Sequence, residues 1–313
     1  MNIKVSIVIP TYRRQNKLVK LLKSISEGDF DKIEVIIVND DPQFKYTEDF
    51  LKNIVNLQII IINNNTNVGV NMSRYIGGLK ATGEYILFID DDNVVEKNTV
   101  STLYNDFEEL SESVAALAPI AYYYSNTDKI WWCGTILNKY TLKSNFIKHC
   151  DKKYIETHDV HNAFMIRRKY LDYMGITTHY FKRTFATYGF VTLLRKRGLK
   201  AFVDTSAKIF HDVPYNTSED REVKLYELIG SRFDEDRIFH YFYEPLIYSK
   251  MFSDHYLNVL LNTLFQYGRL QIYTLAIMRS NLTLSQKRKL ILYAYKGFVK
   301  GILTKVKKRK ILE

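Results

Sequence analysis

The chain has 313 residues, with 45 Lys and Arg against 34 Asp and Glu, and is 46% hydrophobic and 25% charged. These fractions are globular and exclude wholesale disorder, and with no run of eighteen apolar residues no membrane-spanning helix is expected. Residues 5–9 are too short an apolar stretch for a signal peptide, and two cysteines, Cys133 and Cys150, are too few for a disulfide framework, so a cytoplasmic location is expected.

Residues 4–9 form an apolar run stopped by Pro10, which predicts a buried strand. Residues 14–26 place Leu18, Leu21, Leu22 and Ile25 on one helical face. Runs at 33–38 and 57–62, rich in β-branched residues, predict two more strands. Residues 70–81 read as a helix closed by Thr82-Gly83, and residues 84–89 as a fourth strand ending on Asp90-Asp91-Asp92. Strands alternating with helices argue for a parallel sheet with helices on both faces. Ligands of such sheets sit beyond the carboxyl ends of the strands. The polar clusters lie at those ends: Thr11 and Tyr12, residues 39–41, residues 63–67 and residues 90–93.

Strands over 114–124, 130–138 and 160–166 and helices over 168–174 and 188–197 are expected to extend the sheet and form the far wall of a cleft. From about residue 218 the chain reads as mainly helical. Residues 256–278 are long and apolar, but Asn258, Asn262, Gln266, Arg269 and Gln271 interrupt them, which predicts an amphipathic or buried helix rather than a span.

The charge is uneven. Residues 1–100 hold 12 basic and 13 acidic side chains; residues 101–313 hold 33 and 21. Residues 287–310 contain ten Lys or Arg and no acid, interleaved with Leu290, Ile291, Leu292, Tyr293, Tyr295, Phe298, Val299, Ile302 and Leu303. Cationic and apolar residues at helical spacing suit a helix on an anionic membrane surface. A docked helix with a solvated face is the plainer alternative, and so many aliphatic side chains disfavour nucleic acid.

Asp90-Asp91-Asp92 is the strongest chemical signal. Three adjacent carboxylates repel one another and resist desolvation unless a cation joins them. A hard divalent cation held by one or two of them, and by phosphate oxygens, would act as a Lewis acid toward a departing diphosphate. An exposed acidic loop is the other reading of these residues taken alone.

Four segments in order supply the context: residues 6–13 (SIVIPTYR), 34–41 (EVIIVNDD), 67–74 (NVGVNMSR) and 83–92 (GEYILFIDDD). Together they resemble the nucleotide-sugar-binding half of family 2 glycosyltransferases of GT-A fold, specifically over residues 3–100 and more loosely to about 213. That resemblance implies an α/β fold with a mostly parallel sheet over residues 1–217, divided into a nucleotide-sugar half (1–100) and an acceptor half (101–217). A helical, basic, membrane-associating extension would follow over 218–313. It implies that Pro10, Thr11, Tyr12 and Asp40 hold the nucleobase, that Arg74 lies near the base or diphosphate, and that Asp90 and Asp91 face the ribose and phosphates. Asp92 would be the principal ligand of Mg²⁺ or Mn²⁺, with His211 completing the metal site.

The sequence departs from the family at Ala186-Thr187, where members usually carry Glu-Asp with a carboxylate as general base. Neither side chain here accepts a proton usefully. His161 and His179 are candidates by location, and a phosphate-oxygen acceptor would need no base. Residues 232–305 look like the helical tail of rhamnosyltransferase-type members.

The expected activity is inverting, metal-dependent transfer from a nucleotide-diphosphate sugar to a glycan, glycolipid or lipid-phosphate acceptor, at the inner face of a membrane. A catalytically silent nucleotide-sugar-binding protein and a basic protein binding nucleic acid through its tail are the competing classes.

Overall fold

The computed structural model describes residues 2–47, 57–147, 149–183, 185–213, 225–226, 229 and 233–306. The boundary expected at 217/218 and the basic residues 307–310 lie outside them. The chain forms two compact units: residues 1–136, 145–179 and 187–215 make the first; residues 137–144, 180–186 and 216–313 make the second.

The elements run β1 (Val5–Thr11), α1 (Gln15–Ser26), β2 (Ile33–Asn39), β3 (Ile59–Asn63), α2 (Val70–Lys80), β4 (Tyr85–Ile89), β5 (Asn93–Val95) and α3 (Thr99–Glu109). Then come β6 (Val114–Tyr123), β7 (Asn126–Trp132), β8 (Thr135–Leu137), β9 (Ser144–Phe146), β10 (Tyr154–Glu156) and β11 (Ala163–Arg167). They are followed by α4 (Leu171–Tyr180), α5 (Ala186–Lys196), β12 (Lys200–His211), α6 (Glu235–Phe252), α7 (Tyr256–Arg279) and α8 (Leu284–Leu303).

The first unit is built on a ten-stranded mixed sheet whose main path is β10-β12-β6-β11-β4-β1-β2-β3, with β5 added on β12 and β7 on β6. Strands β3, β2, β1 and β4 are mutually parallel. Chain order reverses between β1 and β4, so the carboxyl ends of these two strands form the topological switch point. β1, β2 and β4 are buried along their whole length, as expected of apolar runs covered on both faces. α1 buries Leu18, Leu21, Leu22 and Ile25, the stripe its spacing predicts. α2 approaches the sheet closely at Gly77, where a Cβ would lie 2.4 Å from Val8 Cγ1 and 2.9 Å from Val38 Cγ2.

Beyond β4 the pairing changes. β11 runs antiparallel to both β4 and β6 and separates them, while β12 pairs parallel with β6. This insertion carries residues 159–162 to the switch-point side of the sheet, because Asp90 N donates to Asn162 O at 2.8 Å.

Cys133 and Cys150 form a disulfide, with Cα atoms 6.4 Å apart and the two residues seventeen positions apart in sequence. This corrects the reading of the cysteines: a bonded pair gives no argument for a reducing compartment.

The second unit packs α6, α7 and α8 around Ile238, Phe242, Leu246, Leu270, Ile277, Leu290, Ala294 and Phe298. α8 sits tightly on α6, since a Cβ at Gly297 would lie 2.2 Å from Phe239 O and one at Gly301 2.7 Å from Leu246 Cδ1. Glu244, fully buried on α6, accepts from the backbone N–H groups of Lys182, Arg183 and Phe185 at 2.8–3.1 Å and so ties residues 180–186 into this unit. The apolar positions Leu290, Ala294 and Phe298 of the basic segment are therefore spent on the unit's own core.

Candidate active site

Three strand ends of the first unit build the site. β1 ends at Thr11, whose Oγ1 donates to Asp91 Oδ2 at 2.7 Å across the switch point. The chain then turns through Arg13 with φ 57, a left-handed conformation uncommon outside glycine, and enters α1. That turn brings Arg14 Nη1 to 2.5 Å from Asp92 Oδ2 and 3.3 Å from Asp91 Oδ1. Pro10 is buried within β1, and Tyr12 is partly exposed with the Arg13 guanidinium over its ring. Beside this turn lies a groove of about 540 Å³ lined by Arg13, Arg14, Lys17, Asp41, Phe44 and Tyr46 among others.

From α2, the buried Arg74 donates through Nη2 to Asp90 Oδ1 at 2.5 Å and through Nη1 to Asn71 Oδ1 at 3.2 Å. Its Nε is buried and has no hydrogen-bond partner among the described residues. From β12, His211 Nε2 lies 3.5 Å from Asp92 Oδ1. The three aspartates, Thr11, Arg74 and His211 thus converge as one constellation.

Asp40 does something additional. Its carboxylate accepts from Val68 N at 2.9 Å, Gly69 N at 2.8 Å and Asn64 Nδ2 at 3.0 Å, fixing the loop that leads into α2. That explains why Gly69, with φ 89, can be held in the turn before the helix.

The acidic triplet is electrostatically divided. Burial pushes Asp91 up to about 7, although Arg14 and Thr11 favour its charged form. Asp92 is half-buried, and although its partial burial works against the charge, His211 and Arg14 together hold it down to about 2. Asp92 is thus the carboxylate of this pair that stays ionised near neutrality, which a metal ligand requires. Among the described residues no group of three or more His, Cys, Asp or Glu converges as a cation cage. What the fold offers is one ionised carboxylate beside one imidazole. That set fits Mg²⁺ or Mn²⁺, which take one or two protein ligands together with substrate phosphates.

The remaining histidines differ sharply. His179 is exposed at the last turn of α4. His161 lies beside β11, with Nδ1 2.9 Å from Oδ2 of the fully buried Asp159. Its ring stacks on Trp132 and Trp131, with centroids 5.5 and 5.4 Å away, and Trp131 in turn meets His211 edge-on at 4.2 Å. Ala186 and Thr187 open α5, and Ala186 is buried.

Sequence reasoning did not single out Arg14, Asp159, Trp131 or Trp132. Arg14 follows the strand-end motif by one position and Asp159 precedes His161 by two, so adjacency was the available signal. The tryptophans sit at the end of a strand whose pairing the sequence does not disclose.

Residues 6–175, more than half of the chain, match the family described as Glycosyl transferase family 2. The chain belongs to that family. Among curated proteins it is similar to the GalNAc(5)-diNAcBac-PP-undecaprenol beta-1,3-glucosyltransferase of Campylobacter jejuni, 35% identical over 109 residues, 34% of this chain and 35% of that protein. It is also similar to the poly(ribitol-phosphate) beta-N-acetylglucosaminyltransferase TarS of Staphylococcus aureus, 31% identical over 102 residues, 31% of this chain and 18% of TarS. The aligned stretch thus spans about a third or less of these relatives.

Among solved structures, GalNAc-T7 with UDP, GalNAc and Mn²⁺ superposes with a TM-score of 0.56 at 13% identity, covering 84% of this chain and 54% of that one. S. aureus TarS 1–349 in complex with UDP gives 0.51 at 15% identity, covering 97% and 76%. The fold of this chain is GT-A. The family assignment extends to family 2 and not to a rhamnosyltransferase-like subgroup.

Proposed function

We propose that this protein is an inverting glycosyltransferase that moves a sugar from a nucleoside-diphosphate sugar to a glycan or lipid-linked acceptor. The observation that carries it is the convergence of Thr11, Arg14 and Arg74 with Asp90–Asp92 and His211 at the switch point between β1 and β4. The GT-A relatives named above carry UDP in their structures or a lipid-diphosphate acceptor in their names, which supports the same donor and acceptor classes here.

In this reading Pro10, Thr11, Tyr12 and Asp40 hold the nucleobase end of the donor. Asp40 acts there partly by fixing residues 64–69. Arg74 would reach the diphosphate, with an Nε donor that no described protein group uses. Asp90 and Asp91 face the ribose and phosphates. Asp92 and His211 would hold Mg²⁺ or Mn²⁺, which when bound supplies Lewis-acid neutralisation of the leaving diphosphate.

Asp159 lies against the Nδ1 side of His161 and leaves Nε2 as the nitrogen that would accept a proton. His161 then fills the role that Ala186-Thr187 cannot. The acceptor hydroxyl proton passes to Nε2, the acceptor oxygen bonds to the anomeric carbon, and the bond from that carbon to the diphosphate breaks on the opposite face.

The test is a panel of nucleotide sugars with Mg²⁺ or Mn²⁺ and acceptors, reading release of nucleoside diphosphate. Release with at least one donor is expected. Nucleotide binding by calorimetry with no transfer and no hydrolysis across the panel would establish the silent binding protein instead.

A further inference from the structure

Helix α7 is amphipathic in the wrong direction for water. Asn262 and Gln266 are fully buried, whereas Leu257, Leu260, Leu261, Leu264, Ile272, Leu275 and Met278 are 42–61% exposed. The buried amides have their own explanation: Asn262 Nδ2 donates to Tyr140 O at 3.3 Å and Gln266 Nε2 to Thr141 O at 3.4 Å, pinning residues 137–144 of the same unit. The exposed residues are spaced by one or two helical turns, with Gly268 in the gap between Leu264 and Ile272, and so share one face, roughly 30 Å long at 1.5 Å per residue. No charge interrupts that face. Arg269, the one ionic side chain of α7 before Arg279, turns away to Gln266 Oε1 at 2.8 Å and to the Tyr241 ring. A continuous apolar face of this kind marks an interaction surface.

The surrounding charge selects the occupant. Residues 255–306 carry eight Lys or Arg and no Asp or Glu. A second copy of the chain, docked face to face, would oppose that charge with its own. An anionic lipid surface complements both features at once. α8 repeats the pattern on its outer side, where exposed Leu292, Val299, Ile302 and Leu303 lie among Lys296 and Lys300, long side chains that can extend their amines to headgroups. No described helix is long and apolar enough to cross a membrane.

We propose that α7 lies flat in the interfacial layer of a bilayer containing anionic lipid, with its leucine face among the acyl chains and the cations of α8 on the headgroups. Residues 287–306 then supply charge, while the apolar contact comes from α7. The inference does not depend on the transfer chemistry.

The test is flotation of the full chain with phosphatidylcholine vesicles, with and without phosphatidylglycerol. Wild type is expected to float with the anionic vesicles only. L264E/L275E, at exposed positions, is expected to lose about tenfold or more of the partitioning while its circular dichroism and nucleoside diphosphate release stay unchanged. No flotation with anionic vesicles, or equal flotation of L264E/L275E and wild type, would overturn the proposal. So would a stable dimer in light scattering that L264E/L275E dissociates, since α7 would then face another copy.

Discussion

Arg14 Nη1 donates to Asp92 Oδ2 at 2.5 Å, so a cationic side chain already sits against the carboxylate expected to bind a metal. The same guanidinium lies 3.3 Å from Asp91 Oδ1. One cation therefore screens a buried acid and a half-buried one that would otherwise repel each other. The loop beyond β4 tolerates Asp91 and Asp92 side by side for that reason, and a dication at Asp92 would share this screening.

Asp92→Ala is expected to reduce nucleoside diphosphate release by at least about 10²–10³-fold, the scale of losing a main electrostatic stabiliser. The fold should persist, because Asp92 is anchored through its backbone O, which accepts from Asp212 N. Chelation by EDTA should abolish wild-type activity, and Mn²⁺ or Mg²⁺ should restore it. Full turnover of Asp92→Ala, or of the EDTA-treated enzyme, would remove the metal from the reaction.

Substituting the histidine beside Asp159 tests the proton acceptor. His161→Gln should lower kcat by about 10²–10⁴-fold, the usual worth of a positioned acid or base, with donor affinity by calorimetry little changed. Asp159→Asn should lower kcat as well, by less, since the carboxylate no longer fixes the imidazole. If both variants keep wild-type turnover, His161 is a packing residue beside the two tryptophans.

Much of this arrangement is legible in the residues, and the failures have physical causes. The strands at residues 5–9, 33–38 and 84–89 announce themselves because central parallel strands are apolar on both faces. The leucine stripe of α1 follows from helical period alone. β11 is apolar too, but nothing in its sequence says that it enters antiparallel between β4 and β6, because pairing is decided by long-range contacts. His161 is therefore readable as a histidine near the second half of the site, while its juxtaposition with Trp131 and Trp132 is not. The Cys133–Cys150 bond was hidden for a similar reason: two cysteines seventeen positions apart do not state whether their Cα atoms meet. α7 misleads most, because Asn262 and Gln266 look like part of its solvent face and are buried.

Asp40 offers a stability measurement that separates its two jobs. Asp40→Ala leaves Val68 N and Gly69 N without their acceptor in a partly buried loop, while Asn64 Nδ2 keeps only Ser73 Oγ. Each unsatisfied donor costs about 1–3 kcal/mol, so chemical denaturation should show a loss of about 2–5 kcal/mol, with weaker nucleotide binding. Asp40→Asn keeps one acceptor oxygen and should lose less stability. Binding that fails in Asp40→Asn while its stability stays near wild type would assign the carboxylate to the nucleotide directly.

The last test concerns a buried acid away from the site. Asp204 on β12 is fully buried; burial first, then the neighbouring Asp106, pushes its carboxyl up to about 6. Its Oδ1 accepts from Ser206 N and Oγ, and Asp106 is engaged by Lys153 Nζ at 3.0 Å. Because the folded pKa lies above the ordinary value of 3.8, the native state binds more protons than the unfolded chain between the two. Stability should therefore fall as pH rises from about 4 through about 6 and stay reduced above it. Asp204→Asn keeps the Ser206 acceptor, replaces the shared proton with a permanent N–H toward Asp106, and carries no charge to desolvate. It should be more stable than wild type at pH 7.5 by about 1–3 kcal/mol, with the advantage vanishing near pH 4. Urea denaturation of both proteins at these two pH values checks it, and an Asp204→Asn protein less stable at pH 7.5 would show that the ionised carboxylate is compensated in the fold.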